Sequence, residues 1–238
     1  MPIVHDWILL VLVVAGLGAR AWFGIRALRS VPEAELEARR RRAWARGIAS
    51  QWALVAILAL LWTWQRRTPA ALGLVMPSPW GLAGVGLGLV FVVAVLGAQR
   101  WHVGARPELA SRVRAQLVHL RALLPNTRAE LPGFVSLAIT AGVCEEVLFR
   151  GFVMWLLACV LPAFWMAALA QALLFGLAHA YQGPSGVLRT GAVGMFMAGL
   201  VWVTGSLWAA MVVHALMDIH AGDMAVRVFG TPEPPAPA

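Results

Sequence analysis

Apolar residues fall into long runs, separated by shorter stretches rich in arginine. Each run approaches the ~20 residues that an α-helix needs to cross the hydrocarbon core of a bilayer. The pattern predicts spans over about residues 7–23, 48–65, 80–99, 132–150, 163–180, 186–204 and 207–219. The expected fold is all-α: a polytopic transmembrane helix bundle of about seven spans. The first run lacks the basic start of a signal peptide and is followed by arginines, so it reads as a retained helix.

The polar stretches carry their own pattern. Residues 29–47 form a charged, helix-prone connector expected at the membrane surface. Residues 100–131 form a second basic connector. Within it Leu109, Val113, Leu117, Leu120 and Leu124 share one helical face, the signature of an amphipathic interfacial helix. His102 and His119 in this stretch read as surface residues. Gly84, Gly86 and Gly88 in the third run suggest a close helix approach. The organisation expected is residues 1–131 as N-terminal membrane helices with two basic interfacial connectors, 132–222 as a membrane helix core, and 223–238 as a disordered proline-rich tail.

Composition supports a membrane chain: 61% of the 238 residues are hydrophobic, against about half in a soluble domain. The net charge of +8 comes from nineteen basic residues, all arginine. They lie mostly in the connectors, so they set topology and face anionic lipid, and no nucleic-acid partner is implied. If every run crosses, both basic connectors fall on one side. The positive-inside rule makes that side cytoplasmic, with the N-terminus outside and the C-terminus inside, and the expected location is the cell membrane. Arg66 and Arg67 are exceptions. Cys144 and Cys159 form no CxxC pair and read as small apolar fillers. No internal repeat argues for a transporter built from repeats.

The last four runs nevertheless contain ionisable groups, each costing roughly 3 kcal/mol at the centre of a membrane helix. Glu146 and Arg150 are i and i+4, spaced to pair on one helical face. Glu145 is rotated by about 100° from Glu146 and has no partner on its own helix. Phe175 and His179 share the i, i+4 separation, as do His214 and Asp218; Arg189, His220 and Asp223 complete the polar set. Three polar clusters on three helices avoid lipid best by facing each other across a cavity. There a carboxylate and a histidine can activate water for attack on a carbonyl. A second histidine and an aspartate can stabilise the oxyanion. The runner-up is zinc, for which Glu145, His179, His214 and Asp218 are plausible ligands, although no H-E-x-x-H helix is present.

The segments "EEVLFR", "FGLAH" and "HALMD" resemble, in order, the E-E-x-x-x-R, F-x-x-x-H and H-x-x-x-(N/D) motifs of the CAAX prenyl endopeptidase and bacteriocin-processing family, also called the abortive-infection family of intramembrane proteases. The resemblance covers about residues 133–219. It implies an endopeptidase acting within the membrane on membrane-associated protein or peptide substrates, CAAX-type processing included. Carried over by position, Glu145 and His179 would activate water, His214 and Asp218 would form the oxyanion site, and Glu146 with Arg150 would support the structure. No cofactor is required on this reading, with zinc as the alternative. Non-proteolytic bacteriocin immunity or scaffolding is the competing class, followed by proton-coupled transport. The expected partners are lipid and the substrate; oligomeric state is left open.

Overall fold

The computed structural model describes residues 1–77 and 79–230. Among these, α1 is Val4–Arg29, α2 Glu33–Trp64, α3 Pro79–Ala105, α4 Pro107–Leu117, α5 Arg128–Ala158, α6 Phe164–Ala178, α7 Pro184–Thr204 and α8 Leu207–Phe229. Six of them (α1, α2, α3, α5, α7 and α8) are long and apolar enough to cross a membrane. With the shorter α6 they account for the seven expected runs. The protein is an all-α polytopic bundle and an integral membrane protein.

Two interaction sets hold its opposite ends. At one end the basic connectors are strapped together. Arg40 donates to the Leu124 carbonyl at 2.6 Å and lies 3.3 Å from Glu130, both side chains buried. Trp44 Nε1 donates to the Leu123 carbonyl at 2.9 Å, and Arg121 pairs with Glu33 at 2.6 Å. At the other end Arg67 makes a two-pronged ion pair with buried Asp6, both contacts at 2.8 Å. Its guanidinium also stacks on Trp155 at 4.2 Å. This explains an arginine on the side away from the connectors: its charge is neutralised on the spot.

Four expectations are corrected. The first basic connector is not a separate surface element. It is the N-terminal half of α2, whose 32 residues span about 48 Å at 1.5 Å each. The apolar face of the second connector packs on protein: Leu109 and Val113 of α4 lie half-buried on Met224 and Val228, and Leu117, with Leu120 and Leu124 beyond the helix, sits with Trp44 and Phe134. Residues 223–229, expected in the tail, complete α8, because Met224, Ala225 and Val228 supply the other side of those contacts. Residues 231–238, the rest of that expected tail, lie outside the described residues. Finally, among the described residues nothing lies within 4 Å of where a Cβ would stand at Gly84, Gly86 or Gly88, so the close approach expected there is not made between them.

Close approach is made elsewhere. A Cβ at Gly142 of α5 would stand 2.8 Å from the Met211 carbonyl and from Ala215 of α8. Only hydrogen fits, and two backbones that near each other gain the van der Waals contact that drives helix association in lipid. Between α6 and α7, a Cβ at Gly176 would meet the Val187 carbonyl at 2.6 Å. These two crossings pair α5 with α8 and α6 with α7.

Candidate active site

The site begins where α5 changes its winding. The α-helical part ends at Glu145, and Glu146–Val153 is π-helical. Such insertions recur at functional sites because the wider turn re-aims side chains. Here the whole π segment is buried, and Leu148, Phe149, Phe152 and Val153 fill the central core. Glu146 and Arg150 lie among them. Arg150 Nη1 donates to Glu146 Oε1 at 2.9 Å, with both side chains fully buried. The guanidinium also lies 4.0 Å from the Phe175 ring centroid, a cation–π contact strengthened by desolvation. The i, i+4 ion pair is therefore formed. What the sequence did not reveal is its second client. His214 Nδ1–H donates to the same Oε1 at 2.7 Å, which aims Nε2 at Asp218, 3.8 Å away.

The adjacent carboxylate faces the other way. Glu145 is 13% exposed at the side chain and His179 16%, against 0% for Glu146. Water reaches the first carboxylate and not the second. His179 is held by its own helix end: its Nδ1–H donates to the Phe175 carbonyl at 2.8 Å. That bond fixes the tautomer and leaves the Nε2 lone pair toward Glu145 Oε2 at 3.8 Å. The gap is too long for a direct hydrogen bond, and both atoms accept in the neutral-histidine form. A water donating one hydrogen to each fits the spacing.

Glu145, His179, His214 and Asp218 line one cavity of about 380 Å³. Asp218 also lies within electrostatic reach of Glu145, His179 and His214. By sequence alone Glu145 sits deep in its span and His179 near the end of its own. The shortness of α6 reconciles them. Its 15 residues extend about 22 Å, under a hydrocarbon core of ~30 Å, and His179, just past its last residue, lies 3.8 Å from Glu145. His220 and Asp223 stand apart. His220 meets Gln99 at 3.1 Å, and Asp223 pairs with Arg100 and Arg227 at 3.2 and 3.0 Å. Arg189 donates to the carbonyl of Ser185, on its own helix.

Other residues of the cavity carry no motif. Gln51 of α2 donates from Nε2 to Glu145 Oε1 at 3.3 Å. Arg20 of α1, Tyr181 and Gln182 also line the wall. The available signal for Gln51 was a polar residue near the start of an otherwise apolar run.

The side chains do not meet as a closed ligand set for zinc. Among the described residues no three of His, Cys, Asp and Glu converge to hold a metal ion. The imidazoles offer Nε2 outward, but toward different carboxylates.

Neither the curated proteins nor the solved structures yield a match to the chain. Residues 127–220 match the family model described as Rce1-like, type II CAAX prenyl endopeptidase. That segment contains all three motifs, the π-helical turn and every cavity residue of α5, α6 and α8 named above, while α1 to α4 lie outside it. By this match and by the three motifs in order, residues 127–220 of this integral membrane protein are similar to the Rce1-like type II CAAX prenyl endopeptidases.

Proposed function

We propose that the protein is an intramembrane endopeptidase that hydrolyses peptide bonds of membrane-associated protein or peptide substrates, CAAX-type tails included. The observation that carries this reading is the pairing of a cavity-facing carboxylate, Glu145, with an imidazole whose free nitrogen points back at it.

Water between Glu145 and His179 gives a proton to the Glu145 carboxylate as its oxygen attacks the scissile carbonyl carbon. The new C–O bond forms while the carbonyl π pair moves onto oxygen. His214, with Nδ1–H committed to Glu146, presents Nε2–H to that oxyanion in its imidazolium form. Asp218 orients Nε2 or, protonated, donates beside it. When the intermediate collapses, the C–N bond breaks and the leaving nitrogen takes the proton from Glu145, with His179 as relay. Glu146 and Arg150 hold His214 and touch no reacting atom. No step is routed through a metal ion, and no resident cofactor is proposed.

The distribution of arginines supports an orientation with the strapped end cytoplasmic, the N-terminus outside, and residence in the cell membrane. The test is cleavage of a quenched fluorogenic peptide library by purified protein in detergent. The wild type is expected to cleave, and Glu145→Ala and His179→Ala to lose cleavage together. Cleavage that survives Glu145→Ala would sink the mechanism. Transport of a solute without cleavage would replace the function.

A further inference from the structure

We infer that Arg20 is a substrate-binding residue of the cavity and that the group it takes is a carboxylate of the peptide; the inference rests on the protease reading above. Arg20 is the one arginine lining the cavity among the described residues. It comes from α1, outside the segment that matches the family. Its guanidinium lies over Gly47 of α2: a Cβ built there would stand 3.6 Å from Nη1 and 3.8 Å from Nη2. Gly47 and Gln51 share one face of α2 at i and i+4, and Gln51 holds Glu145. The guanidinium thus sits one helical turn, ~6 Å along the axis, from the level of the carboxylate that activates water.

The other inward arginines set the contrast. Arg40, Arg67 and Arg150 each have a carboxylate within contact distance, from Glu130, Asp6 and Glu146. Arg20 is exposed and makes no hydrogen bond or ion pair with the described residues. The charged or polar groups in its electrostatic reach are Glu145, Tyr181 and Arg46. A planar fork of donors left open beside a reacting centre suits a carboxylate, which it can grip with two bonds. The small and apolar side chains Ala21, Gly24 and Ile25 continue the wall beyond it, giving the rest of the substrate a lipid-like path.

The carboxylate has two possible sources, the peptide C-terminus or an Asp or Glu side chain. Three forms of each fluorogenic peptide separate them: free acid, C-terminal amide, and amides carrying Asp at successive positions. Wild type is expected to prefer one carboxylate form over the plain amide by roughly tenfold in kcat/KM, the worth of a charge-assisted contact. Arg20→Gln should bring that ratio to about one, and Arg20→Lys should retain part of it, as a point charge without the fork does. Binding of the same peptides to Glu145→Gln, with and without Arg20→Gln, reads the preference where no cleavage occurs. A preference that persists without Arg20, or equal binding of acid and amide, overturns the assignment. Wild type that cleaves nothing yet binds carboxylate forms through Arg20 overturns the protease reading and keeps Arg20.

Discussion

Gln51 and Glu145 meet 94 positions apart: the amide of the first donates to the carboxylate of the second at 3.3 Å. This joins α2, which carries no motif, to the group proposed to activate water. Gln51→Leu removes the donor and leaves a membrane-compatible side chain. A hydrogen bond of about 1 kcal/mol corresponds to a loss of roughly fivefold in kcat. Gln51→Glu, which adds a like charge beside Glu145, should lose more. Kinetics on one fluorogenic peptide would check both, and unchanged kcat in both would show that α2 does not support the base.

Glu146 and Arg150 should separate from Glu145 in stability. Removing one member of a buried pair strands the other and typically costs about 3–5 kcal/mol. Arg150→Ala is expected to lower folded yield and thermal midpoint in detergent, with activity lost alongside. Glu145→Ala should lose activity with the midpoint nearly unmoved, since its carboxylate faces the cavity. Equal drops in midpoint would contradict this division of roles.

Asp218 distinguishes two chemistries. As a protonated donor or an orienting group beside His214, it can be replaced by asparagine with much of the cleavage kept, within about tenfold. A chelator should then leave wild type unchanged. A large loss in Asp218→Asn, together with chelator-sensitive activity that zinc restores, would instead establish a metal ligand.

The crossing at Gly142 should tolerate nothing larger. An added Cβ at 2.8 Å from Met211 O and Ala215 forces α5 from α8, and overpacking of this kind costs about 1–3 kcal/mol. Gly142→Ala should lower the midpoint, and Gly142→Leu should also abolish cleavage by parting Glu146 from His214. Alanine at Gly84 or Gly86, with open space around each, should be neutral or slightly stabilising, because a helix interior prefers Ala to Gly by about 1 kcal/mol. A midpoint scan of the four variants decides it.

The helical spans and the polar set were legible in the sequence because both are local. A run of apolar side chains long enough for a bilayer is a property of consecutive residues, and a charge inside such a run is visible by its cost. Spacing at i and i+4 likewise announced the Glu146–Arg150 pair. What the tertiary structure decided is where separate helices touch. The winding change at Glu146, the early stop of α6 and the fit of Gly142 against α8 bring Glu145 to His179 and Glu146 to His214. No periodicity encodes them. Gln51 and Arg20 look like ordinary polar residues near the ends of apolar runs until α1 and α2 are placed against the cavity. The fate of amphipathic α4 shows the same limit. Its apolar face required a covering, but whether lipid or protein supplied it depended on α8 continuing to Phe229, where Met224 and Val228 are in reach.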